Sequence, residues 1–129
     1  MNKLQFVFIV LSLFISICTS GKTVVIDNKM STKSINDKLA TFQGGDTLLL
    51  KKGYYRVNLK LINKIGVQDN PIVIRGEDRM HTIIDGGALE PGSNLKNYGV
   101  FIENSSWITI DNLSFKNCWV DVVRVYESS

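Results

Sequence analysis

With 129 residues and a net charge of +3, the chain has material for one small domain and not for two. That charge is too mild to argue for nucleic acid, though it permits an acidic polysaccharide as partner. Of the two cysteines, Cys18 lies in an apolar leader, so Cys118 has no partner in the remainder, which excludes a disulfide framework and a cysteine-based zinc site.

Residues 1–20 read as a signal peptide. Lys3 supplies the positive start, and residues 4–17 form an apolar run interrupted only by Gln5, Ser12 and Ser16, too short to span a bilayer. Cys18 and Ser20 place small side chains before a cleavage site at Gly21, whereas bulky Ile17 argues against Cys18 as a lipid-bearing residue. The mature chain is therefore expected to be residues 21–129, secreted or held in the cell envelope (periplasmic or extracellular). No stable membrane insertion is expected once the leader is gone.

Residues 22–27 alternate around Val24 and Val25 and predict a first strand. In residues 31–42, Ile35, Leu39 and Phe42 recur at spacings of four and three, which lays one apolar stripe along a short helix, with Ser34 or Thr32 available as its N-cap. Gly44 and Gly45 are expected to stop it by supplying positive φ. Beyond Asp46 the helical period is gone. Segments 47–50, 71–75, 82–84, 98–102, 107–110, 113–115 and 120–126 are short and rich in Ile, Val, Thr and aromatics. They are bounded by Gly, Asn, Asp and Ser, so each predicts a strand.

The last third chooses between a sandwich and a tube of parallel strands. Trp107-Ile108-Thr109-Ile110 meets Leu113-Ser114-Phe115 across only Asp111-Asn112, a spacing that also suits a hairpin. Asp-Asn lacks the glycine that a primed hairpin turn usually wants, and alternation puts Ile108, Ile110, Leu113 and Phe115 on one interior. The phase passes the corner without reversing, as in a coil of a β-helix that bends at an asparagine in the left-handed region. From Ile102 to Val125 the chain advances 23 residues, about one coil.

Four phrases carry a family resemblance. Residues 45–55, GDTLLLKKGYY, resemble the opening of many secreted β-helix proteins, and the helix before them resembles their N-terminal cap. Residues 70–77, NPIVIRGE, and 82–87, TIIDGG, resemble first-coil strands, and 98–117, YGVFIENSSWITIDNLSFKN, resemble the next coil. Together they cover nearly all of the mature chain in the expected order. They are most similar to the chondroitinase B and alginate lyase group of polysaccharide lyases, within the pectate lyase-like superfamily.

The resemblance implies an all-β, right-handed parallel β-helix (solenoid), here an N-terminal fragment with a short capping α-helix. It also implies β-elimination on an acidic glycan. There a base removes the proton α to a uronate carboxylate, while cations or a metal, calcium in some complete architectures, neutralise that carboxylate. In the family this chemistry sits on coils beyond those matched, so no catalytic, cofactor-binding or metal residue is carried over. The chain alone is expected to be inactive.

Individual residues are weighed against plainer roles. His81, the single histidine, reads as a turn residue rather than a base. Asp85 with Glu77 and Asp78 resembles a calcium cluster, yet an aspartate before two glycines is expected to bond the turn backbone. Arg75 and Arg124 alternate outward and suit a groove for an acidic glycan or an ordinary solvated face. Among Tyr98, Trp107, Trp119 and Tyr126, which would form a sugar track if exposed, Trp107 should point outward or pack beneath the 88–97 loop. Asn104 and Asn112 head glycosylation sequons but equally suit corners. Cys118 is expected as a small apolar residue near a corner.

Three functions follow: the start of a secreted polysaccharide lyase, a non-catalytic surface or adhesive glycan-binding β-helix, or a truncated product without independent function. In each, the last coil would expose Val123 and Val125 and invite self-association.

Overall fold

The computed structural model describes residues 20–87 and 98–128; the expected leader, save Ser20, and the 88–97 loop lie outside them. Along the described residues run β1 (Thr23–Ile26), α1 (Thr32–Ala40), β2 (Thr47–Leu50), β3 (Gly53–Arg56), β4 (Leu59–Ile62), β5 (Ile72–Gly76) and β6 (Thr82–Asp85). Then come β7 (Tyr98–Glu103), β8 (Ile108–Asp111), β9 (Ser114–Lys116) and β10 (Asp121–Tyr126). The protein is mostly strand, and its sheets are parallel.

Consecutive strands do not pair with each other after β1 and β2. Instead they fall into three sheets, ordered β1-β2-β5-β8, β3-β6-β9 and β10-β7-β4. Each triplet of strands (β2-β3-β4, β5-β6-β7, β8-β9-β10) visits the three sheets once, and the next triplet lies alongside it. Like side chains consequently stack: Leu48, Ile74 and Ile110 in the first sheet, Tyr55, Ile84 and Phe115 in the second, Leu61, Ile102 and Val125 in the third. The pairing of Val125 with Ile102 matches the 23-residue advance read from the sequence.

These ladders, apart from the exposed Val125, join α1 in one apolar core. β8 and β9 lie in different sheets, so residues 107–115 are not a hairpin, and the chain turns between them at Asn112 with φ 53°. Ile108, Ile110, Leu113 and Phe115 all pack against the core, as the unreversed phase requires.

α1 buries Ile35 and Leu39, and Phe42 follows them inward. Its N-cap is Ser31, whose side chain accepts from the Ser34 N–H at 3.1 Å, rather than Ser34 or Thr32. Ser34 is the donor three residues into the helix, and Thr32 is its first residue. The helix ends before the glycines do their work. Thr41 closes it by giving its N–H and its hydroxyl to the Lys38 carbonyl, at 3.1 and 2.8 Å. Gly45, at φ 91°, turns the chain only afterwards into β2.

The helix also protects an edge. β4 ends its sheet, and Asn36 stands in for a neighbouring strand: its Oδ1 accepts from the Lys60 N–H at 2.9 Å and its Nδ2 donates to the Asn58 carbonyl at 2.9 Å. The Lys64 ammonium donates to the Ala40 carbonyl at the helix end. Among the described residues no helix is long and apolar enough to cross a membrane.

Candidate functional site on the β3-β6-β9 sheet

A connected cluster of polar side chains lies on the outer face of the three-stranded sheet β3-β6-β9. Alternation turns Tyr55 and Ile84 inward, so Tyr54 and Arg56 on β3 face outward, and Asp85 on β6 shares their face. Parallel register then sets Arg56, Asp85 and Lys116 side by side on successive strands.

Asp85 is 5% exposed and fully engaged. Its Oδ1 accepts from the Gly87 N–H at 2.7 Å, the turn bond expected of an aspartate before two glycines. Its Oδ2 accepts from the Tyr54 hydroxyl and from Asn117 Nδ2, the latter at 3.0 Å. Burial alone would raise its carboxyl. The bonds from Tyr54, Gly87 and Asn117, with the charge of Arg56, outweigh burial and hold it below the usual carboxylate range. The same bond to Asp85, aided by burial, raises the Tyr54 phenol. Near neutrality the pair is therefore a phenol donating to a carboxylate. Tyr54 is no base in that state, and Asp85 has both oxygens committed.

The other acids are also taken up locally. Glu77 Oε2 accepts from the Lys52 N–H at 2.8 Å. Asp78 faces His81 Nδ1 at 3.1 Å and Lys52 Nζ at 3.6 Å, and its carboxyl is lowered first by His81 and then by the Met80 N–H. His81 is thus a turn histidine paired with an acid three residues away. Among the described residues, no three His, Cys, Asp or Glu side chains converge as a metal-ligand set.

Arg75 and Arg124 do not line one groove. Arg75 lies on β5 and makes a two-pronged pair with Asp111 on β8, at 2.8 and 2.7 Å; Arg124 lies on β10, in another sheet, and pairs with Asp121 at 2.6 Å. Sequence alternation placed them outward but not which acids their register would bring alongside.

The aromatic track also dissolves. Tyr98 is buried, with its ring 5.6 Å from that of Phe101, which lies 5.7 Å from Tyr126. Trp107 and Trp119 are exposed, Trp107 ahead of β8 and Trp119 beyond β9; packing of Trp107 beneath 88–97 lies outside the described residues. Asn104 and Asn112 occupy left-handed corners, and their amides donate to Asn63 Oδ1 at 2.7 Å and the Gly76 carbonyl at 2.8 Å. Cys118 is a half-buried free thiol against Gly86, and burial raises its pKa.

The partners of Asp85 were the part missed in sequence, because Tyr54 and Asn117 lie 31 and 32 residues away along the chain. No protein-family model matches the chain, and none of the curated proteins is significantly similar to it.

Proposed function

We propose that residues 21–129 are the capped first coils of a right-handed parallel β-helix, exported by a signal peptide at residues 1–20, in a protein that handles acidic polysaccharide. The reading extends to a polysaccharide lyase acting by β-elimination. One observation carries it: strands that visit three parallel sheets in fixed order, with inward residues stacked from triplet to triplet. A continuous tube is the simplest path for such a chain. The helix α1, seated on the β4 edge, suits an N-terminal cap.

In this reading the described coils serve as foundation. β-elimination needs an unprotonated base beside the sugar α-carbon and cations on its carboxylate. Here Tyr54 is held protonated, and Arg75 and Arg124 are already paired with aspartates, so the base and the neutralising cations belong to further coils. The protonated Tyr54, which leaves this face without a phenolate base, leaves as a second reading a β-helix that binds glycan without cleaving it.

The test starts from the gene. The reading frame is followed past Ser129, and the protein with every coil it encodes is incubated with alginate, chondroitin sulfate and polygalacturonate. Ultraviolet absorbance from new unsaturated ends is the expected result. Binding without new ends would select the second reading, and neither binding nor cleavage would remove both.

A further inference from the structure

The start of β1 is fastened to the segment that leaves α1 and enters β2. The Lys22 N–H donates to Asp46 Oδ1 at 2.9 Å, and the Lys22 carbonyl accepts from the Thr47 N–H at 2.9 Å. The Lys22 ammonium donates to the Thr41 hydroxyl at 3.2 Å and lies 5.5 Å from the centre of the Phe42 ring. Gly21 is drawn into the same junction. A Cβ there would lie 1.9 Å from the Gly45 carbonyl oxygen, so the Gly21 backbone abuts that carbonyl and leaves no room for a side chain.

Asp46 stands at the centre of this junction and is 6% exposed. Its oxygens take backbone donors, the Lys22 N–H on Oδ1 and the Gln43 N–H on Oδ2 at 2.8 Å. Its ion pair among the described residues is with the Lys22 ammonium at 4.0 Å, on a side chain that is half exposed. A buried carboxylate so placed gains from a second, closer cation.

Cleavage before Gly21 supplies one. With Ser20 attached, the Gly21 nitrogen is an uncharged amide. Hydrolysis of the Ser20–Gly21 bond gives the hydroxyl of water to the Ser20 carbonyl carbon and its proton to the Gly21 nitrogen, which becomes an ammonium near neutral pH. Successive backbone nitrogens are at most about 3.7 Å apart, so the new charge arises within about 7 Å of Asp46 Oδ1.

We propose that leader removal locks the N-terminal cap: the α-ammonium freed at Gly21 pairs with the buried Asp46 carboxylate and holds β1 against the exit of α1. Export and assembly are thereby coupled. A chain still joined to its leader keeps a looser cap, and a chain released from it becomes the foundation on which further coils stack. The inference rests on the signal-peptide part of the proposed function and adds a folding step to it.

The test uses the protein with every coil its gene encodes, made to begin at Gly21, at Thr19, or at Gly21 with its amine acetylated. Each form is prepared with the native sequence and with D46N. Hydrogen exchange of residues 22–50 is followed by mass spectrometry at pH 6.5, where a free α-amine is protonated. Expected is exchange at least tenfold slower in the free Gly21 form than in the other two, with D46N bringing all three together. Equal exchange in the three native-sequence forms overturns the proposal. So does a tenfold difference that survives D46N, which would assign the effect to the Gly45 carbonyl. Should D46N not fold, the acetylated form decides alone: exchange as slow as that of free Gly21 overturns the lock, and tenfold faster exchange supports it. Sequencing the first residue of the exported protein separates the two readings. A start other than Gly21 removes the leader reading and the lock with it, whereas a Gly21 start with equal exchange removes the lock alone.

Discussion

Tyr55 shows how a single buried polar atom couples this core to pH. Its ring stands in the ladder with Ile84 and Phe115, it is 1% exposed, and its hydroxyl donates to the Lys51 carbonyl at 2.7 Å and the Ile26 carbonyl at 3.2 Å. Burial first, then the charges of Asp27 and Glu77, push the phenol from 10.0 up to about 12. A raised phenol binds its proton more tightly in the folded chain than in the unfolded one. Its contribution is therefore whole below about pH 10 and is lost as pH rises through about 12. Urea unfolding across that range should show stability falling with pH, and Tyr55→Phe should flatten the fall. At neutral pH the same variant should cost about 1 kcal/mol, because it leaves the Lys51 carbonyl short of a donor. Equal alkaline slopes in the two proteins would assign the effect to other groups.

At the scale of elements, α1 acts through its polar face as much as its apolar one. Asn36→Ala removes both substitutes for a strand neighbour at β4, and about 1–2 kcal/mol of stability should go with them. Asn36→Asp keeps the acceptor for Lys60 but loses the donor to Asn58, and should fall between. Thermal melts that place all three together would mean water replaces the amide without cost. The apolar stripe of Ile35, Leu39 and Phe42 was legible in sequence because burial leaves a period. The bonds of Asn36 were not, since a polar residue on a helix reads as solvent-facing until its neighbour is known. β3 and β4 escaped for a related reason. Each is four residues long and half of it is outward, Tyr54 and Arg56 on β3, Lys60 and Ile62 on β4, although Leu59 and Leu61 on either side of Lys60 already alternate. Around Asp85, the local turn bond to Gly87 could be read from the two glycines. Its bonds to Tyr54 and Asn117 depend on a register between strands that one sequence does not print.

Across the whole molecule, burial declines along the stacked ladders. Leu59 and Val100 are fully buried while Val123, next in line, is 37% exposed; Leu61 and Ile102 are buried while Val125 is 56% exposed. Among the described residues, the strands β8, β9 and β10 each have a sheet neighbour on one side only, so their other backbone edge and this apolar rim open at the same end. At the opposite end β1, β3 and β4 are the edge strands, with α1 on the β4 edge and burying Ile35 and Leu39 in the core, so the apolar rim beside β8, β9 and β10 is the surface that favours association. Residues 21–129 made alone are expected to self-associate through β8-β9-β10, since an unpaired edge beside exposed valines is a template for another chain. Sedimentation velocity should show species above the monomer that grow with concentration. Replacing Val123 and Val125 by lysine should shift the distribution toward monomer, because burying two cations at the junction costs more than the valines contribute. A wild-type chain that sediments as a monomer and melts cooperatively would mean that the three stacked triplets are sufficient by themselves and that the open rim is tolerated in water.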